Sequence, residues 1–343
     1  MNGEAEMNMF KTIDRRTMLR AAAAGGVLTM IRPTDGWSAT KAPLVMTGGV
    51  SGLVLHQMAL DEGYFKQFDL DPELLIVSDG TKATAALIGG ASDICMWSGF
   101  NQLTPAIEKG ATLKILAGAL NIPSLAIYSK MPDIKTVSDL VGKTIGIGAP
   151  GSVLHQMIGL MLKKKGISID KVTFRNAGSN ADIFKAVVAG TVDAGPSDVD
   201  VFEQQDKFGV HALSDGLLWK EIPEYTNQGT YASDDAIKSR RELLVRILAT
   251  YGKVYRYVQN PASRDAFIKA RAKVTNDSDE HQAVTQWNWI QAYQPYAQDL
   301  VLSDERINLV QQLNVDFGVQ TKVLPIAQVA DMSLAKDALK LMA

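Results

Sequence analysis

The chain has 343 residues, with 35 Lys and Arg against 37 Asp and Glu, which gives a formal net charge of −2 at pH 7. This near-neutral balance, without a concentrated basic face, argues against a nucleic-acid partner. Cys95 is the one cysteine of the sequence, which excludes an internal disulfide. Because it lies in an apolar stretch, we expect a buried, unreactive thiol.

Residues 1–40 are predicted to be a twin-arginine export signal. The sequence DRRTMLR at 14–20 precedes an uncharged apolar run at 21–31, which is too short for a bilayer-spanning helix of about 20 residues. Small residues at 38–42 mark the expected cleavage zone, although Trp37 breaks the strict A-x-A form. The alternative interpretation is a basic tail beside an apolar segment. The remaining chain is long enough for two domains with cores of their own.

Five residues, VLHQM, occur twice, at 54–58 and at 153–157. Each copy follows a strand-like segment and a loop rich in Gly and Ser. Each copy is followed by a second predicted strand and then by a predicted helix, which ends at the sequence Gly-x-x-Asp, at 90–93 and 190–193. This duplication predicts two equivalent lobes, and a cleft between domains is where small molecules bind.

Strands alternate with helices from residue 43 to about residue 231, the pattern of parallel sheets covered by helices. We therefore predict an α/β fold with two lobes, each a parallel-rich sheet flanked by helices, and a ligand cleft between them. Helices are predicted at 81–89 and 180–189, and strands at 113–117 and 125–129.

The chain is predicted to cross between the lobes twice, first through the polar stretch 131–143 and again near 228–232. The first lobe would then comprise residues 41–130 and 232–343, and the second lobe residues 131–231.

Beyond residue 233 the pattern is almost wholly helical. The segment 240–257 carries an amphipathic stripe, and further helices are predicted at 261–272, 279–292, 303–317 and 329–341. We expect these helices to pack on the first lobe and complete it. Trp287 and Trp289, on one of them, are interpreted as packing residues.

Several candidate ligand groups follow predicted strands, and in open parallel sheets ligands bind beyond the carboxyl ends of the strands. Ser51, Gly52, Thr81 and Ser152 lie at predicted helix starts. There a hydroxyl and free N–H groups can hold a small anion such as a sulfonate, carboxylate, nitrate or phosphate. The alternative for each is a helix N-cap without a ligand.

Two later strand ends add an aromatic and two acidic candidates. Trp97 either stacks on an organic ligand or belongs to the core. Asp198 and Asp200 either accept a ligand amine or hydroxyl, or cap the next helix. His56 and His155, at equivalent places in the two copies, are interpreted as structural.

Catalytic and cofactor motifs do not occur in the sequence. There is no H-E-x-x-H, P-loop, nucleophile elbow or repeated-cysteine zinc pattern. Gly148 and Gly151 match only a fragment of a dinucleotide loop. We therefore expect no cofactor, no metal and no enzymatic activity.

Four ordered segments resemble the periplasmic substrate-binding proteins of ABC transporters, and most closely the nitrate/sulfonate/taurine-binding family with its thiamine-pyrimidine-precursor relatives. They read ALDEGYF at 59–65, ALIGGASD at 86–93, VSDLVGKTIG at 137–146 and AVVAGTVDA at 186–194. The order matches from about residue 44 to residue 232, and the helical tail carries no motif.

The resemblance implies a type II periplasmic-binding-protein fold. It also implies a monomer whose two lobes close over a small ligand by population shift and then dock to an inner-membrane permease. By position, the family's ligand loops fall on Gly49, Ser51, Gly52, Thr81, Trp97, Ser98, Asn121, Ser152, Asn180 and Asp198. No arginine stands at a matched loop, which argues against a clamped dianion and leaves room for a neutral or aromatic ligand as well as sulfonate, nitrate, carboxylate or pyrimidine types.

Two other functions use the same architecture. An enzyme of thiamine-pyrimidine synthesis would carry a cluster of cysteines, whereas Cys95 stands alone here. A periplasmic ligand sensor would need the same cleft, and deleting a neighbouring permease would separate it from a transporter.

Overall fold

The computed structural model describes residues 39–343, so the predicted twin-arginine motif lies outside the described residues. The strands are β1 (Thr40–Thr47), β2 (Leu70–Val77), β3 (Ile94–Ser98), β4 (Leu113–Leu120), β5 (Leu125–Ser129), β6 (Thr144–Ile147), β7 (Thr173–Asn176), β8 (Ala194–Asp198), β9 (His211–Leu217) and β10 (Gln228–Ser233).

Helices join and cover these strands. As far as Glu221 they are α1 (Val50–Asp61), α2 (Tyr64–Gln67), α3 (Gly80–Ile88), α4 (Leu103–Glu108), α5 (Val153–Lys164), α6 (Asn180–Ala189) and α7 (Leu218–Glu221). Beyond it they are α8 (Asp234–Ser239), α9 (Arg241–Val258), α10 (Arg264–Thr275), α11 (His281–Tyr293), α12 (Asp304–Asp316), α13 (Ile326–Val329) and α14 (Ser333–Leu341). Short 3-10 segments lie at Val137–Leu140, Ile169–Lys171, Val199–Phe208 and Pro261–Ser263.

Two five-stranded sheets form the frame, in the orders β2-β1-β3-β10-β4 and β7-β6-β8-β5-β9. In the first, β1 pairs in parallel with β2 and β3, while β10 runs antiparallel to β3 and β4. The second repeats this plan, with β6 parallel to β7 and β8 and with β5 antiparallel to β8 and β9. The predicted two-lobed α/β fold is confirmed, and we call the two sheets with their helices the first and second lobe.

The chain passes from the first sheet to the second earlier than the sequence predicts. Because β5 pairs with β8 and β9, the crossing lies at residues 121–124 and not in the polar stretch 131–143. All five residues of β5 are buried, and an apolar strand of this kind does not reveal which sheet it joins. The return crossing precedes Gln228, because β10 already belongs to the first sheet.

The predicted cleavage zone overlaps the start of β1. Thr40 and Lys41 pair with Leu70 and Asp71, and Ala42 is fully buried. Cleavage at the Ser38 end of the zone would therefore leave this strand whole.

The C-terminal helices cover the first lobe and also reach the second. α9 packs on α1, α2 and α14, and α10 packs on α1, whereas α12 contacts α5 of the second lobe. α11 packs on the 3-10 segment Val199–Phe208, also of the second lobe. None of the helices within residues 39–343 is long and apolar enough to cross a membrane.

The repeated VLHQM residues form parts of α1 and α5, and their histidines pack inside the lobes. His56 is buried, with Nδ1 2.7 Å from the Tyr251 hydroxyl and its ring 5.2 Å from that of Phe65. His155 Nδ1 accepts a hydrogen bond of 2.9 Å from the Gly151 N–H. Burial lowers the pKa of His56 to about 4.

We expect acid to destabilise the protein through His56. The folded state keeps this imidazole neutral, whereas the unfolded chain takes up a proton below a pH of about 6.5. The free energy of unfolding should therefore fall as the pH drops from about 6.5 to about 4, by roughly 3 kcal/mol in total. Denaturant unfolding at both ends of this range measures the loss. His56→Gln should reduce it, and the exposed His281→Gln control should not; equal losses in both variants would contradict the assignment.

Candidate functional site

A cavity of about 180 Å³ lies between the lobes, at the carboxyl ends of the parallel strands of both sheets. It is lined by Gly49, Val50, Ser51, Trp97, Leu120, Ser124, Leu125, Val153, Leu154, Asn180, Asp198, Asp200, Asn227, Gln228 and Arg271. With about 30 Å³ for each water in the liquid, this space accepts a small solute and not a polymer. Residues next to both crossings, including Leu120 and Asn227, form part of its wall.

Five of the ten residues expected from the sequence line this cavity. Gly49 and Ser51 stand at the start of α1, Trp97 lies in β3, Asn180 begins α6 and Asp198 ends β8. The structure thus brings together residues that are far apart in the chain and that belong to both lobes.

The other five expected residues do not line it. Gly52 lies behind Trp97, the Ser98 hydroxyl donates to the Gly99 carbonyl, and Ser152 caps α5 by accepting from the His155 N–H. Thr81 is exposed in the first turn of α3. Asn121 lies in the crossing segment, where its carbonyl accepts from Arg306.

Arg271 is a cavity residue that the sequence interpretation missed. It lies on α10, in the helical part of the chain that follows β10, and its side chain is 6% exposed. Its position in the sequence could have indicated a buried charge. Arg271 follows the buried Phe267 by one helical turn, so it lies on the apolar face of α10. Asn227 and Gln228, at the return crossing, were also missed as ligand candidates.

Arg271 spans the cleft. Its Nη2 lies 2.6 Å from Oδ2 of Asp200, which belongs to the second lobe, and its Nη1 donates to Gln286 Oε1 at 2.6 Å. Gln286 in turn donates to the Ser51 hydroxyl at 2.6 Å. A chain of hydrogen bonds therefore connects α10, α11 and α1 with the second lobe.

The lobes touch elsewhere too. The Asn101 amide donates to the Gly151 carbonyl at 2.7 Å, and the rings of Trp219 and Trp289 lie 6.1 Å apart, edge to face. The two lobes are therefore closed against each other around the cavity.

Asp198 is the most perturbed carboxyl group of the cavity. Asn180 Nδ2 lies 3.2 Å from both of its carboxylate oxygens. Burial and the neighbouring Asp200 carboxylate raise the pKa of Asp198 to about 7, and this rise persists against the opposing effects of Asn180 and Arg271.

The start of α1 provides donors on another part of the wall. Its N-cap, Gly49, has an extended backbone and no side-chain hydrogen bond. The first N–H groups of a helix lack intrahelical acceptors, and they lie at the positive end of the helix dipole. The cavity thus contains a carboxylate from one lobe and a helix N-terminus from the other.

Trp97 forms an aromatic wall and is 2% exposed. Its ring lies 6.1 Å from that of Tyr296. Its backbone carbonyl accepts a hydrogen bond of 3.0 Å from the Thr47 hydroxyl, and the residue forms part of the cavity lining.

Gly52 fixes the place of this indole. A Cβ atom there would lie 2.7 Å from both Cγ and Cδ1 of Trp97. We expect Gly52→Ala to displace the ring and to lower the free energy of unfolding by about 1–3 kcal/mol, as overpacking does. Gly49→Ala is the control, because its Cβ would lie 4.0 Å from Trp97 Nε1. Denaturant unfolding measures both, and similar losses in the two variants would show that the ring is not held by Gly52.

The described residues contain no cluster of three or more His, Cys, Asp or Glu side chains placed to hold a metal ion. Cys95 is fully buried in β3, and burial raises the pKa of its thiol to about 12. A thiol in this state does not act as a nucleophile at neutral pH.

Residues 55–263 match the family model described as NMT1/THI5 like. No curated protein sequence matches the chain.

Solved structures share its fold. The periplasmic aliphatic sulphonate binding protein SsuA from Escherichia coli aligns with a TM-score of 0.68 at 19% identity, over 86% of this chain and 92% of that one. The alkanesulfonate-binding protein SsuA from Xanthomonas axonopodis pv. citri, bound to MOPS, aligns with a TM-score of 0.65 at 20% identity, over 87% and 97%. The desulfurization enzyme DSZB aligns with a TM-score of 0.61 at 14% identity, over 88% and 100%.

Proposed function

Because the chain belongs to the NMT1/THI5-like family, we propose that it is the solute-binding component of an ABC importer. It captures a small solute between its two lobes and delivers it to a membrane permease. The observation that carries this proposal is the cavity of about 180 Å³ enclosed between two lobes that are joined by two crossings. A ligand that touches both lobes stabilises the closed arrangement and so shifts the population towards it.

The periplasm is the location that suits this function. The SsuA proteins that share the fold include one named as periplasmic, and the sequence begins with a pattern typical of twin-arginine export signals. We propose that the protein is exported by the twin-arginine route. We also propose that it binds the permease as a monomer.

We infer binding without catalysis, although the fold also carries the desulfurization enzyme DSZB. Among residues 39–343, no cysteine or histidine lines the cleft, and Cys95 is buried in β3 and is not part of the cavity lining. An enzyme of thiamine-pyrimidine synthesis with a cysteine cluster therefore finds no support in these residues.

Native mass spectrometry of protein purified from its own compartment without refolding tests this function. We expect a co-purified small molecule that is lost on unfolding, and that raises the melting temperature by several degrees when it is added back. Deleting the neighbouring permease should abolish uptake of that solute. Absence of any bound mass, with no stabilising compound in a panel of sulfonates, nitrate, carboxylates, pyrimidines and amino acids, would contradict the proposal. Unchanged uptake with a lost signalling response would instead support a sensor.

A further inference from the structure

We propose that α12, held to both crossings by Arg306, is the pivot of lobe closure. α12 stays bound to both lobes when the cleft opens, and the lobes part where α10 and the start of α11 face the 3-10 segment Val199–Phe208. This inference rests on the proposed function in one respect, namely that the lobes open at all. It goes further by assigning which contacts between the lobes break and which persist.

Arg306, in the first turn of α12, binds both crossings. Its Nη1 donates to the Asn121 carbonyl of the first crossing at 2.6 Å and to the Glu224 carbonyl, in the segment before β10, at 3.1 Å. The Thr226 hydroxyl of that segment lies 3.5 Å from the same nitrogen. One guanidinium therefore joins both connections between the lobes to one helix. Because a hinge motion takes place about such connecting segments, contacts close to them move least.

Buried, uncharged groups attach α12 to α5 of the second lobe. Gln156 of α5 donates to Asn314 and accepts from the Tyr225 hydroxyl, and both amide side chains are fully buried. At the C-terminal end of α12, the Phe317 ring lies against Gly159 so closely that no Cβ atom would fit there. Parting α12 from α5 would break this network and expose apolar surface at the same time, which costs free energy.

The contact of α10 and the start of α11 with the second lobe is polar and charged. Arg271 and Asp200 form an ion pair there at 2.6 Å, and separated charges recover hydration that offsets much of their lost attraction. Beside this pair, a groove of about 470 Å³ separates the 3-10 segment from the start of α11. It is lined by Glu203, Gln204, Ser278, Asp279, Glu280, His281, Val284 and Thr285. Water can solvate most of these side chains as the groove widens, so the lobes part here at lower cost than at α12.

The aromatic contact between the lobes lies on the side of the crossings. Trp219 of the second lobe packs on Trp289 and on Tyr293, at the C-terminal end of α11. Two residues further on, the Pro295 carbonyl accepts from the Asn121 N–H of the first crossing. This end of α11 is therefore fixed to the hinge, and the aromatic contact persists when the start of α11 moves away.

Distances between spin labels, measured by electron paramagnetic resonance on the mature protein freed of bound solute, test the pivot. The α12 pair is Gln312→Cys with Lys171→Cys, and the α10 pair is Lys269→Cys with Lys207→Cys; all four side chains are exposed. Cys95 is buried and does not take up label. Relative to the closed structure, we expect the α10 distance to increase by more than about 2 Å, as in a domain rearrangement, and the α12 distance to change by less.

Arg306→Met should broaden the distance distribution of the α12 pair, because it frees both crossings from α12. Arg256→Met is the matched control. It removes an exposed arginine of α9 that donates to the Gln298 carbonyl, and it should leave the distribution unchanged. Melting curves show whether each variant is folded, and the two distances in the protein with Arg306 intact decide the question if Arg306→Met does not fold.

Arg271→Met, which removes the ion pair of the closed form, repeats the comparison in a protein biased towards the open form. An increase of more than about 2 Å in the α12 distance, or an unchanged distribution in folded Arg306→Met, would overturn the inference. If both pairs move apart, the pivot is wrong and the proposed function stands. If neither pair moves, in the solute-free protein or in Arg271→Met, the inference fails together with closure of the lobes.

Discussion

Replacing Arg271 with Met should weaken solute binding by about 100- to 1000-fold. The change leaves Asp200 without its partner at 2.6 Å, on a side chain that is only 16% exposed. Removing one partner of a buried ion pair costs about 3–5 kcal/mol, and each 1.4 kcal/mol is about a tenfold change in affinity. Because the pair joins the two lobes, the cost falls on the closed form and therefore appears as lost affinity. Calorimetric titration of the co-purified solute measures it.

Two further variants separate this effect from a general loss of charge. Arg264→Met removes an exposed arginine from the same helix and should change the affinity less than about twofold, since exposed pairs contribute little. Arg271→Met combined with Asp200→Leu removes both charges, and it should recover at least tenfold over Arg271→Met alone. Wild-type affinity in Arg271→Met would show that the ion pair does not hold the closed form.

Replacing Asn314 with Leu should destabilise the whole protein by about 3–5 kcal/mol, because several buried polar groups lose their partners at once. Asn314 on α12 is fully buried. Its amide donates to the Asn101 carbonyl at 2.8 Å and to Thr104 Oγ1 at 2.9 Å, and its oxygen accepts from Gln156 Nε2 at 2.5 Å. Gln156 belongs to the second lobe and also accepts from the Tyr225 hydroxyl at 3.0 Å.

Gln312→Ala is the control for this prediction. Gln312 lies on the same helix and is exposed, and its side-chain amide donates a hydrogen bond to Asp316. Replacing Gln312 should therefore change the free energy of unfolding by less than about 0.5 kcal/mol. Denaturant unfolding compares the two variants. A loss below about 1 kcal/mol in Asn314→Leu would mean that α12 does not link the lobes through this network.

Much of the fold was predictable because the sequence repeats itself. The two copies of VLHQM form α1 and α5 in equivalent places of two sheets that share one strand plan. Strand ends such as those of β1, β3 and β8 also pointed to cleft residues, because parallel strands present their carboxyl ends at one edge. Ser51, Trp97 and Asp198 were found in this way, whereas Gly49 and Asn180 were named by position from the family resemblance.

Other features depend on contacts between distant parts of the chain. The apolar residues of β5 are compatible with either sheet, so the first crossing was placed too late. Arg271 comes from a helical tail that carries no motif, and only packing of α10 on α1 and pairing with Asp200 bring it to the cleft. Thr81 follows a strand as the cavity residues do, yet its side chain points to solvent. A loop position alone does not specify the direction of a side chain.

Closure of the two lobes over a solute is the central claim, and solution X-ray scattering of one preparation with and without its co-purified solute tests it most directly. We expect the solute-free protein to populate a more open form with a larger radius of gyration. Adding the solute should restore a scattering curve that matches the closed structure described here. Identical curves with and without a solute that binds in the cleft would contradict the account.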